Sequence, residues 1–159
     1  MEDKMTWCVK QKRGIELIEP NENLAKAYLL KAENALASMK ANQGNTEWEI
    51  SSAYYTMYFA TYALLMKIGV KSEIHTCTIE FAKSYLKDHF KAEELETLSI
   101  AQGTRVDVQY YVGRNVNTKT QDKIKHMAAD YLIKCRHLLP KIKEAELNKI
   151  REDITKRMK

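Results

Sequence analysis

The sequence predicts an all-α protein, an antiparallel helical bundle of five to six helices, and three observations carry that expectation. Only five glycines and two prolines punctuate 159 residues, while Ala, Leu, Lys and Glu are plentiful, which favours helices over turn-rich β structure. Apolar residues recur at three- and four-residue steps in successive segments, the period of a buried helix face. Between Ile50 and Met66 there is no charged residue, and a helix apolar around most of its circumference belongs in the middle of a bundle. That run approaches transmembrane length. Its hydroxyls (Ser51, Ser52, Tyr54, Tyr55, Thr56, Tyr58, Thr61, Tyr62) are too many for a lipid-facing span, so the expectation is a soluble core helix.

The elements follow in order. Residues 1–19 mix charges with Trp7, Val9, Ile15, Leu17 and Ile18 without a clear period, and Pro20 closes them: an irregular or short-helical arm, with Trp7 tucked against the bundle. Asn21 or Asn23 caps a first helix whose apolar face is Leu24, Ala27, Tyr28, Ala32, Ala35, Leu36 and Met39. A polar turn at 42–45 ends it. Thr46 and Glu49 have capping-box spacing and open the central helix, and Gly69 supplies its left-handed stop. A third helix runs over about 76–88 on Ile79, Phe81, Ala82 and Leu86, and a fourth starts near Glu93, where Glu93, Glu94 and Glu96 complement the positive end of the dipole. Gly103 and Gly113 bracket a segment in which a kink or loop is expected. Thr118 or Thr120 caps a fifth helix presenting Ile124, Met127, Ala128, Tyr131, Leu132, Cys135, Leu138 and Leu139. Pro140 then breaks the chain before a charged C-terminal helix over 141–159. With no repeat and no linker, residues 1–159 form one domain.

Composition narrows the chemistry. Cysteines 8, 77 and 135 are odd in number and widely spaced, so they are expected as reduced thiols rather than a disulfide scaffold, and without a Cys-x-x-Cys pair no metal site or cofactor is expected. Nothing resembles a signal or transit peptide, and the expected location is cytoplasmic, with no membrane partner. The net charge of +5 arises in the last stretch. From Lys134 to Lys159 there are nine basic and four acidic residues, a pattern read as a solvated helix laced with i,i+4 pairs in preference to a phosphate footprint.

The order Ser52, Ala53, Tyr54, Tyr55, then Met57, the aliphatic Ala63, Leu64 and Leu65, Gly69, His75 and Phe81 resembles the HEPN family. The likeness spans roughly residues 20 to 140, from a first helix reading NENLAKAYLLKAENAL to Arg105 followed five residues later by Tyr110. HEPN proteins are small all-helical prokaryotic domains often encoded beside a minimal nucleotidyltransferase. The resemblance therefore implies a homodimer with Arg105 near the two-fold, a nucleotidyltransferase partner, and a toxin–antitoxin or defence role in which RNA or nucleotide is bound.

Catalytic HEPN members set an arginine and a histidine four to six residues apart. Here Tyr110 and Tyr111 stand at that distance from Arg105. Tyrosine stacks on bases, but its ordinary pKa near 10 makes it a poor base at neutral pH, so the expected site binds better than it cuts. The candidate catalytic residues are Arg105, His75 and Tyr110, and the candidate binding residues Arg105, Tyr110, Tyr111 and Arg114. Arg105 is read either as a phosphate clamp or as a salt-bridge partner of Asp107 or another helix. His75, just ahead of a helix, is either a cap or a neutral imidazole facing phosphate, in the second case only where the fold brings it toward Arg105. His89, His126 and His137 are expected to be exposed. Tyr54, Tyr58 and Tyr62 line one helix face, read as core and interface before a base-stacking surface. Two alternatives stay open: an active metal-independent endoribonuclease with a rearranged site, and a non-catalytic dimeric interaction module.

Overall fold

A computed structural model describes all of residues 1–159. Seven α-helices and one two-stranded ribbon follow in the order α1 (Lys4–Lys10), β1 (Glu16–Leu17), α2 (Glu22–Ala41), α3 (Thr46–Ile68), β2 (Val70–Lys71), α4 (His75–Tyr85), α5 (Ala92–Tyr110), α6 (Thr118–Leu138) and α7 (Glu144–Arg157), with a 3-10 turn at Leu139–Lys141 carrying Pro140. The chain is thus all-helical, with more helices than the five to six expected, because the N-terminal arm contains a capped helix. Asp3 caps it through the backbone N–H of Thr6. No helix is long and apolar enough to cross a membrane.

The uncharged run is the central helix. On α3, Ile50, Ala53, Tyr54, Met57, Ala60, Ala63, Leu64, Leu65 and Ile68 are fully enclosed, and α2, α5 and α6 wrap around it. Thr61 and Tyr131 hydroxyls meet at 2.7 Å inside this core, so these two buried polar groups satisfy each other. Gly69 ends α3 at φ 87°, its N–H bonding Leu65 and Met66 carbonyls. A β-carbon there would lie 2.6 Å from the Ile18 carbonyl oxygen and 2.4 Å from Arg151 Nη1, so glycine is required for packing as well as for its dihedral.

Several local expectations are corrected. Trp7 is 44% exposed; α1 instead buries Met5, Cys8 and Val9, and Cys8 is disulfide-bonded to Cys77 at the start of α4. The two cysteines are 69 residues apart, a proximity that topology creates and spacing does not reveal; only Cys135 is a free, buried thiol. The expected face of α2 packs on the core at Tyr28, Ala32, Leu36 and Met39, but its first turns differ: Leu24 and Ala27 are exposed, while Ala25 and Leu29 are buried. Asn21 caps α2 as expected, accepting from the Leu24 N–H. Thr46 does not form a capping box, since Glu49 reaches back to the Gly44 N–H at 3.0 Å instead. Helix α5 runs unbroken through Gly103 to Tyr110, anchored by buried Ala101, Thr104 and Arg105, and the break comes at Gly113 with φ 84°. Asn117, not a threonine, caps α6. His89 is half-buried and bonds Glu146 at 2.6 Å, whereas His126 and His137 are exposed as expected.

Candidate functional site

The tyrosines of α3 organise the site. Tyr54 and Tyr58 are one turn apart on its buried side, and α4 begins with His75 laid against them. The imidazole stacks on Tyr58 with centroids 4.3 Å apart, and its Nδ1 is 2.7 Å from the Tyr54 hydroxyl. Helix α5 delivers Arg105 to the same tyrosines. Its guanidinium lies 5.2 Å over the Tyr54 ring and 5.6 Å over the Tyr55 ring. Arg105 and His75, thirty residues apart in sequence, thereby converge on one tyrosine, Tyr54.

Arg105 is only 7% exposed, and no carboxylate pairs with it. Nη1 donates to the Gln109 amide oxygen at 3.2 Å, while Nε has no partner at all. Of the two roles read for Arg105, the salt bridge to Asp107 is not formed, because Asp107 is taken by Arg114 at 2.7 Å. Ring faces attract a guanidinium, but they do not replace the hydrogen bonds and counter-charge that an enclosed cation loses on leaving water. The electrostatic consequences are visible in the neighbours. Burial, and then the Arg105 charge, hold the His75 pKa below its ordinary value, so the ring is neutral at physiological pH. Burial pushes the Tyr54 phenol far above the usual range and Tyr58 up to about 12, leaving both as neutral hydroxyls. Because Tyr54 can donate to or accept from Nδ1, the tautomer with Nδ1 protonated leaves Nε2 free as a proton acceptor.

Two cavities open along the same flank. One, of about 300 Å³, is walled by Lys31, Ser38, Trp48, Ser51, Tyr55, Phe59 and Gln109 among others; the second, of about 350 Å³, includes Tyr28, Tyr58, Tyr62, Lys71 and His75. Lys31 and Phe59 belong to both walls, with the Lys31 ammonium 4.9 Å above the Phe59 ring.

No protein-family model and no curated protein matches this chain. The site is therefore read from its own geometry.

Of the residues singled out in the sequence, Arg105 and His75 are brought together. Tyr110, Tyr111 and Arg114 lie further along, where α5 ends: Tyr110 is 66% exposed, and Arg114 sits 3.6 Å over the Tyr111 ring. Sequence reasoning missed Gln109, although its i+4 spacing from Arg105 on a helix is the signal for such a contact. It also read Tyr54 as core and interface before a base-stacking surface, when that residue touches both the cation and the imidazole.

Proposed function

We propose that this chain is a HEPN-type component of a toxin–antitoxin or defence system, which binds nucleotide or RNA through Arg105 and has weak or no catalytic power. The observation that carries the reading is the enclosed Arg105 cation with no carboxylate and an unbonded Nε. Such a group gains most from an incoming anion, and a phosphate oxygen supplies both charge and hydrogen-bond acceptors. The homodimer and the minimal nucleotidyltransferase partner rest on the resemblance over residues 20 to 140. Weak catalysis follows from the surroundings: the His75 ring is stacked, one nitrogen is occupied, and both adjacent phenols are held protonated.

The convergence of His75 and Arg105 on Tyr54 favours one second reading, an endoribonuclease in which Arg105 steadies the phosphate and His75 Nε2 takes the 2'-hydroxyl proton. One experiment separates the readings. RNA binding measured across salt concentrations should weaken in Arg105→Ala, with a salt slope shallower by about one, while the purified parent protein cleaves RNA slowly or not at all. Robust cleavage lost in both Arg105→Ala and His75→Ala would establish the ribonuclease. Binding indifferent to Arg105→Ala would leave a non-catalytic interaction module.

A further inference from the structure

Buried side-chain polar atoms without a partner are scarce in a folded protein, and each calls for an explanation. This molecule has two, Ser51 Oγ and Arg105 Nε. Both residues are more than nine-tenths buried, at 4% and 7% exposure; Ser51 lines a cavity, and Arg105 lies behind the wall of the same cavity, against two of its lining residues. Ser51 is in the wall of the 300 Å³ cavity, as are Gln109, which accepts from Arg105, and Tyr55, over whose ring Arg105 lies. Lys31, in the same wall, is a second cation that pairs with a ring and with no carboxylate. Trp48, 48% exposed, leaves its indole open at the rim.

From these residues we infer that the cavity between α2 and α3 is a binding site for a single nucleotide unit, with the base stacked on Trp48 and the phosphate held among Lys31, Ser51 and Arg105. Three features select that ligand. The volume is at the lower edge of small-molecule sites, room for one nucleotide unit and not for a folded strand. An open indole beside Tyr55 and Phe59 offers the flat faces on which any base stacks. The two cations can only donate, and the unfilled Ser51 hydroxyl can donate as well as accept, so the group they await is an anion with several acceptor oxygens. Entry of that phosphate exchanges the Gln109 amide on Nη1 for a charged acceptor and gives Nε its missing partner. The inference rests on the reading of Arg105 as a phosphate ligand and names the pocket through which the phosphate arrives.

The probe is AMP, with adenosine and inorganic phosphate as controls, followed by fluorescence of Trp48 in a Trp7→Phe background, which leaves a single tryptophan. AMP should quench Trp48 saturably and bind at least tenfold more tightly than adenosine, and Lys31→Met and Ser51→Ala should each weaken AMP by about three- to tenfold, in line with loss of one hydrogen bond. Calorimetry on Trp48→Ala, which has no optical signal, should show AMP binding reduced at least tenfold, with helical circular dichroism unchanged. A short RNA oligomer that displaces AMP and loses affinity in Ser51→Ala also supports the site and places the nucleotide unit in a strand. Adenosine binding as tightly as AMP, or no binding of AMP by the folded parent protein, overturns the inference. The two readings fail separately: RNA binding lost in Arg105→Ala but untouched in Trp48→Ala and Ser51→Ala strikes this pocket and keeps the proposed function, whereas AMP binding that needs Trp48 and Ser51 but not Arg105 strikes Arg105 alone.

Discussion

Arg151 and Arg105 are both drawn into the body of the protein, and they differ in what receives their hydrogen bonds. Arg151, on α7, donates Nη1 to the carbonyls of Ile18 and Gly69, each at 2.7 Å, stitching the C-terminal helix to both strands of the ribbon's surroundings. Its neighbour Arg157 is bound to Asp153, Asp3 and Thr6, and Tyr85 completes that seam with a 2.6 Å bond to Asp153. Every guanidinium on this side closes the fold. Arg105 closes nothing: it has one amide partner, two ring faces and a free Nε. The contrast teaches how to tell a structural arginine from a receptive one, since a buried charge with its acceptors already supplied stabilises the chain, and one without them is expensive to keep unless a ligand provides them.

The largest effect expected on this comparison comes from the Cys8–Cys77 bond, which ties α1, beside the arginine seam, to α4, which carries His75. For a loop of 69 residues, the constraint on the unfolded chain is worth roughly 4 kcal/mol. Urea denaturation with and without reductant, and of Cys8→Ser, should show a loss on that order. Equal midpoints would mean that packing of α1 alone holds the two regions together.

Next in size is the contrast between the arginines themselves. Arg151→Met should cost about 1–3 kcal/mol, because it leaves the Ile18 carbonyl without a donor and takes one of two donors from the Gly69 carbonyl, which keeps the Ile18 N–H. Arg105→Met should stay within about 1 kcal/mol of the parent protein, or stabilise it, since an apolar side chain of similar length fills the space under Tyr54 and Tyr55 without an enclosed charge. The reverse order of denaturation midpoints would break the distinction and make Arg105 a structural group.

How much of this was legible in the sequence follows from what local pattern encodes. The all-helical class, the central place of α3 and the Gly69 stop are local properties of composition, period and one dihedral, and each is found where it was expected. Trp7 and Leu24 misled because hydrophobicity marks a residue as fit for burial without saying whether a neighbour arrives to bury it. Gly103 misled because a glycine lowers helix stability without forbidding a helix that is anchored by packing on its other side. The disulfide and the convergence of His75 with Arg105 depend on non-local placement of α1, α4 and α5 around α3. Arg105 itself was legible as a candidate, but its distinctive property, the missing carboxylate, was hidden by Asp107 two residues away, which Arg114 takes.

The smallest expected effect tests the electrostatic side of the comparison, and it lies in the pH dependence of stability. His75 is enclosed by Tyr54 and Tyr58, within the field of Arg105, and borders a cavity that also holds Lys31, Lys71 and Glu73. Burial first and Arg105 second lower its folded-state pKa from the ordinary 6.5, so below that value the unfolded chain binds the proton more readily. Stability contributed by neutral His75 is therefore complete above pH 6.5 and declines as the pH falls through the window between 6.5 and the depressed folded value, with a slope of at most about 1.4 kcal/mol per pH unit, reduced further by solvent screening of a half-buried ring. The lowered carboxyls Asp3 and Asp153 act elsewhere on the scale, since their stabilisation is lost only as the pH falls past 3.8 and below. Denaturation midpoints between pH 7 and 5 should thus fall more steeply in the parent protein than in His75→Asn. Arg105→Met should fall between them, because removing the guanidinium lifts the part of the shift due to charge and leaves the part due to burial. Identical pH profiles for the parent protein and Arg105→Met would mean that the cation and the imidazole do not sense each other across Tyr54, and the two-residue site would reduce to Arg105 alone.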